Sequence, residues 1–180
     1  MPYDLLPASH QEKRLISNTL DTPLHRSLIL FFRVSIGWVF LYAGITQCFI
    51  EPHWSAASFL THTQTFHDLY APIATSSFLP LIDFGVKWGH LLIGLSLVSG
   101  LMVRVSGIFG IALMLMYWSA HLDFPYVDSP LNFLIDEHIV DAGLIVYLMA
   151  VRAGHVFGLD GWVEKLPAIE HNPYLRPLVR

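Results

Sequence analysis

The stretch from Asn132 to Asp160, NFLIDEHIVDAGLIVYLMAVRAGHVFGLD, constrains this chain most, because it sets charged groups in a segment otherwise apolar enough to cross a bilayer. Ile139 to Val151 is nearly all aliphatic, yet Asp136, Glu137, His138 and Asp141 crowd its leading end. Ionisable groups at such a depth must face water, other helices or a partner, because hydrocarbon does not solvate them. On a helix, Leu134, His138, Asp141, Ile145, Leu148 and Arg152 form one stripe by steps of three and four. His138 and Asp141 are therefore predicted to point the same way, with Asp141 orienting the imidazole.

The rest of the chain agrees with a membrane setting. Only 13% of its 180 residues are charged and 54% are hydrophobic, with mean hydropathy +0.53, against roughly 25% charged in an average soluble domain. The net charge of -4 argues against a nucleic-acid partner, which requires a basic patch. The single cysteine, Cys48, allows no intramolecular disulfide and no multi-cysteine metal or iron-sulfur site. Redox chemistry would then rest on a bound cofactor, a substrate or another subunit.

Three parts are expected: a polar N-terminal segment (1–27), a membrane domain (28–165) and a C-terminal tail (166–180). The first part carries Lys13, Arg14 and Arg26 and has no apolar core of the kind a signal peptide needs. Leu28 to Ile50 is the first expected span, with Arg33 snorkelling near its start and Gly37 and Gly44 forming a small-residue packing seam. Glu51 to Pro80 reads as a short interfacial helix and a turn, with Trp54, Phe59 and Tyr70 as aromatic anchors; His53, His62 and His67 read as solvated. Spans at about 81–103 and 106–121 follow, hinged at Arg104. Asp83, Lys87 and His90 share one face of the earlier of these, where Asp83 can pair with Lys87. A turn-rich loop, 121–133, leads to the fourth span, and beyond Gly154 a short surface helix is expected to be capped by Asp160.

The fold class expected is all-α: an integral four-helix membrane bundle. Lysines and arginines, Lys87 apart, gather at the N-terminal segment, Arg33, Arg104 and from Arg152 onward, which places both termini in the cytoplasm by the positive-inside rule. On that topology Glu51, Asp83, Lys87, His90, Tyr117, His121, His138 and Asp141 converge in the outer half. Each has an ordinary explanation: Asp136 and Glu137 complement a helix dipole, Asp83 and Lys87 join two helix ends, and a lone histidine packs. Together such groups mark proton, ion or substrate sites.

Several stretches resemble the DoxX family of membrane proteins: H-x-x-D-A-x-L from His138, A-G-H-x-x-G-L-D at Ala153 to Asp160, RVSIGWVFLYAGITQ from Arg33 to Gln47, and GLSLVSGLMVRVSGIFG in the second hairpin. The likeness covers about residues 28 to 165. The approach to N-F-L-I-D-E-H is similar to the DoxD branch, the membrane subunit of a thiosulfate:quinone oxidoreductase, although Gln47 and Cys48 stand where that branch commonly closes its first helix with lysine or another polar residue. The resemblance implies a prokaryotic plasma-membrane protein that passes electrons from thiosulfate to membrane quinone, with a second small subunit or further copies of itself as partners and no tightly bound cofactor or metal. In that setting His138, Asp141, Lys87 and His90 are the expected catalytic groups, and Lys87, His121, Tyr117 and Asp83 would bind substrate. The histidines donate and shuttle protons near neutral pH, and Lys87 attracts an oxyanion or steadies reduced quinone. Two readings stand beside this one: a noncatalytic anchor or assembly partner of a redox complex, and a bundle that binds haem or a metal between histidines.

Overall fold

The computed structural model describes residues 22–179, so the expectations for Lys13 and Arg14 fall outside the described residues. Helix α1, Pro23–Ile45, starts where Thr22 accepts a hydrogen bond from the His25 N–H and proline occupies the first turn. It continues as a π-helical turn, Thr46–Ile50. Two short helices follow, α2 (Ala57–Thr61) and α3 (His67–Ala74), then the long α4 (Leu79–Ser99) and α5 (Val103–His121). The expected single interfacial helix is thus two, broken by the Thr63–Phe66 turn, where Thr63 is buried and its hydroxyl donates to the Leu60 carbonyl at 3.1 Å.

The expected loop 121–133 folds as three short antiparallel strands, β1 (Leu122–Asp123), β2 (Tyr126–Val127) and β3 (Ser129–Phe133), in the order β1-β2-β3. This small sheet anchors to the segment before α3 through Thr65 N–H to Leu122 O (3.0 Å) and Phe124 N–H to Thr65 Oγ1 (2.9 Å). Helix α6 is Glu137–Ala150, and α7 (Asp160–Val163) and α8 (Pro167–Glu170) lie in the tail.

Pro23–Ile50, α4 and α5 are long and apolar enough to cross a membrane, at 28, 21 and 19 residues. Helix α6 has 14 residues, a rise of about 21 Å against a hydrocarbon thickness of about 30 Å. Both its ends are set by the backbone. Leu134 and Arg152 adopt left-handed conformations, φ 59° and 53°, so the expected stripe keeps His138, Asp141, Ile145 and Leu148 and loses its two outer members.

One core unites α1, α4, α5 and α6: Ile29, Ile36, Phe40, Ile93, Leu97, Val103, Met114, Ala142, Ile145 and Leu148 are all buried in it. The seam expected from Gly37 and Gly44 is formed, with its counterpart in Gly94. A Cβ at Gly44 would lie 2.4 Å from Leu91 N and one at Gly94 2.3 Å from Leu41 N, so α1 and α4 touch backbone to backbone. Facing outward instead are Phe31, Trp38, Leu92 and Phe109, each more than half exposed. Bulky apolar side chains standing outward all along the helices suit a lipid surround.

The α4–α5 turn runs through Gly100 (φ 70°) and Met102 (φ 55°), which puts Arg104 inside the first turn of α5 instead of at the hinge. Arg33 does not snorkel. Its side chain is 1% exposed and donates to the carbonyls of Ala153 (2.5 Å), Val156 (2.9 Å) and Phe157 (3.1 Å). Asp160 caps α5 instead of its own helix, its carboxylate accepting from the N–H groups of Met102 (2.6 Å) and Val103 (3.2 Å). Burial pushes the Asp160 carboxyl up, against those two donors and the nearby His155 and Arg33 charges, which pull it down. The A-G-H-x-x-G-L-D run is thereby a wrapper for Arg33: a Cβ at Gly158 would lie 2.5 Å from Nη1, and one at Gly154 would meet the Asp160 carboxylate.

Candidate functional site

At the other end of the helices, beneath α2 and the small sheet, four of the expected residues meet. The His90 ring stacks on Tyr117 with centroids 5.7 Å apart, Tyr117 lies 5.7 Å from His138, and His138 stacks on His121 at 5.3 Å. Phe40 of α1 closes one side, 5.8 Å from His90. Phe59 of α2 meets both Tyr117 and His121 edge-on at 5.0 Å.

Helix geometry produces this gathering. Tyr117 and His121 are one turn apart on α5 and share a face, His90 comes from the buried stripe of α4, and His138 from the first turn of α6. The covering segments are tied down by Tyr70 OH to Ser119 Oγ (2.6 Å) and by Trp118 Nε1–H donating to Leu134 O (2.8 Å).

Hydrogen bonds assign the tautomers. His90 Nδ1 lies 2.9 Å from Val86 O and His121 Nδ1 lies 3.0 Å from Tyr117 O, so in each ring Nδ1 carries the proton and donates. His138 Nδ1 lies 2.6 Å from Asp136 Oδ2. All three rings thus engage the protein through Nδ1 and keep Nε2 for other chemistry.

No family model, curated protein or solved structure matches this chain. Asp136, and not Asp141, orients His138: it is buried, caps α6 by accepting from Ile139 N–H at 3.3 Å, and holds the imidazole with its second oxygen. Asp141 lies one turn further along, half-buried and outside that hydrogen bond. Glu137 is exposed, although one ligand atom each from Asp136, Glu137 and His138 fall within 4.8 Å of one another.

Asp83 and Lys87 do not pair with each other and stand apart from the rings. Asp83 accepts from the Ala56 N–H at 2.8 Å, fastening the segment that leads into α2. Lys87 Nζ sits 5.6 Å above the Trp54 ring. They share a helix face with His90 in projection, but the segment after α1 folds over the first two and the core takes the third. Glu51 is exposed.

Residues outside the expected set also belong here. Phe40 and Phe59 wall the rings, and their apolar character hid them among core and interface positions. Thr46 Oγ1 and Gln47 Oε1, in the π-helical turn, are buried without a hydrogen-bond partner among the described residues. The antiparallel register of Gly44 with Leu91 and Gly94 with Leu41 puts them level with the segment from Lys87 to His90, and π-turns often mark functional positions. An apolar groove of about 880 Å³ between α4 and α5 passes Gly89 and Met116, the chain neighbours of His90 and Tyr117, and runs to Met102.

Proposed function

We propose that this is a quinone-reactive membrane protein of the DoxX type, near its DoxD branch, whose ring cluster handles the protons of quinone reduction. The observation that carries the reading is the Asp136–His138 contact at 2.6 Å beneath a stack of two further histidines and a tyrosine. The Asp136 carboxylate engages Nδ1 and so leaves Nε2 to pass a proton to a quinone carbonyl. His121 and Tyr117 would relay the second proton, and the apolar groove beside Gly89 and Met116 would take the quinone tail. With thiosulfate as donor the balance is two thiosulfates plus quinone and two protons giving tetrathionate and quinol. Lys87, at the covered end of α4, would draw in the oxyanion.

The membrane arrangement we propose has four crossings with both termini cytoplasmic. Support comes from the core that α6 shares with the three longer helices and from the arginines at the end away from the rings. The 14 residues of α6 would cross with local thinning of the bilayer.

The test is His138→Gln in purified protein, assayed for thiosulfate-dependent quinone reduction. Turnover should fall by roughly 10²-fold to 10⁴-fold, at unchanged quinone affinity. Asp136→Asn should do the same more mildly. A folded His138→Gln protein matching the parent in turnover would remove the ring cluster from the chemistry and favour a noncatalytic anchor. A second reading, a metal held near His138, is favoured by the 4.8 Å grouping of Asp136, Glu137 and His138; metal analysis of the purified protein, with a Soret scan for haem, distinguishes it.

A further inference from the structure

The small sheet turns Leu122 and Val127 inward, where both are buried, and leaves Phe124, Leu131, Phe133 and Ile135 exposed, Leu131 by 91%. Tyr126 pairs with Phe133 across the strands, with the two rings edge to face at 6.2 Å. This apolar surface does not stand clear of the helices. Trp118 Nε1–H donates to Leu134 O, and a helical side chain leans toward the N-terminus of its own helix. Leu134 therefore lies beside the last turn of α5, about 4.5 Å short of its end at His121, and Phe133 and Ile135 flank that point. Hydrocarbon admits backbone only where its polar groups are bonded, and here they are: Leu134 N–H donates to Pro125 O at 3.1 Å and Ile135 N–H to Phe133 O at 2.7 Å.

We infer that this face is seated in the lipid leaflet at the ring end of the bundle, with acyl chains covering Phe124, Leu131, Phe133 and Ile135. The inference rests on the membrane arrangement proposed above. Three observations favour lipid over a protein partner. The surface continues along α6 at Val140, which is also exposed. The 14 residues of α6 rise about 21 Å in a hydrocarbon core about 30 Å thick, and the apolar segment just before Asp136 adds length at the end where the helix falls short. The β3 edge is closed to an added strand, since Pro130 has no N–H and Leu131 N–H donates to Ser129 Oγ at 3.3 Å. An exposed carboxylate, Asp123, stands opposite Tyr126 on β1 and holds that edge in the headgroup layer, while Phe133 and Ile135 at the far strand reach below it.

The experiment places a nitroxide on single cysteines of the full Cys48→Ser chain in phosphatidylcholine bilayers. It compares relaxation by oxygen, which concentrates in hydrocarbon, with relaxation by a water-soluble nickel chelate. At Phe133→Cys and Ile135→Cys oxygen should act more strongly than nickel, as at Val39→Cys, exposed on α1. At Ser77→Cys, on an exposed turn, the order should reverse. Leu131→Cys, at the most exposed of the four positions, carries the comparison if either of the other variants fails to fold. Nickel dominating at the sheet positions while Val39→Cys reads hydrocarbon would overturn the lipid seat and leave the membrane arrangement standing. Nickel dominating at Val39→Cys as well would overturn the arrangement and the seat with it. Shielding of the sheet positions from both reagents would mean that a protein, such as a second copy of the chain, covers the face, and would overturn the lipid.

Discussion

Arg33 offers the sharpest test of how this molecule is held together. Arg33→Met removes three hydrogen bonds from a guanidinium that is 1% exposed, to the carbonyls of Ala153, Val156 and Phe157. Bonds from a charged donor contribute about 1.5–3 kcal/mol each, and relief from burying the cation offsets part of the total. Breaking one side of a buried charged network costs about 3–5 kcal/mol net, a large share of a typical margin of about 5–15 kcal/mol. Methionine also leaves empty the space against Gly100 and Gly158 that the guanidinium fills. Urea unfolding of detergent-solubilised protein, followed by tryptophan fluorescence, should show this loss. Arg33→Lys should recover less than half of it, because one ammonium cannot serve acceptors that Nη1 and Nη2 reach separately. Since the ring cluster lies at the far end, the quinone affinity proposed above should be unchanged in folded Arg33→Met protein. A stability within about 1 kcal/mol of the parent, near the net worth of one ordinary hydrogen bond, would refute the assignment of the A-G-H-x-x-G-L-D run as the wrapper of a buried arginine.

Gly94→Ala should destabilise by about 1–3 kcal/mol, because its Cβ meets the Leu41 backbone nitrogen at 2.3 Å and backbone cannot swing aside; a melting temperature equal to the parent's would mean that α1 and α4 slide freely. Lys87→Met should cost no more than about 1 kcal/mol for its contact with Trp54, while the thiosulfate-dependent turnover proposed above falls; collapse of expression and thermal stability together would make it structural. In a Cys48→Ser background, single cysteines at Ser77 and Ser129 should react with an impermeant thiol reagent in whole cells and one at Ser17 should not, and the reverse pattern would invert the proposed topology. The hydrogen bond from His155, aided by Arg152 and Arg176, holds the Glu164 carboxyl below its ordinary 4.5. Its contribution to stability is therefore complete above that pH and is lost as pH falls through the lower folded-state value, so Glu164→Gln should flatten the acid limb of a stability profile, and an unchanged limb would place the titration elsewhere.

Much of this architecture is legible in the residues alone. Hydropathy marks the three long helices to within a few residues, because a bilayer-length apolar run has few alternatives once its backbone must bond internally. The glycine seam is legible for the same reason that it works, since only bare backbone lets α1 and α4 touch. The convergence of His90, Tyr117, His121 and His138 follows from their shared depth on helices joined end to end. What remained hidden depends on contacts between segments far apart in the chain. Helical periodicity put Asp141 beneath His138, but Asp136, two residues before it, bonds the imidazole because a capping residue is extended and turns its carboxylate back over the first turn. Asp83 and Lys87 look like a pair at a spacing of four, yet the segment around Trp54 to Ala56 folds down between them and takes one each. Arg33 and Asp160 read as a snorkelling cation and a surface cap. Only the tertiary structure brings the 153–160 run against the α4–α5 turn, where burial turns unfilled carbonyls and N–H groups into costs that an arginine and an aspartate from elsewhere in the chain relieve.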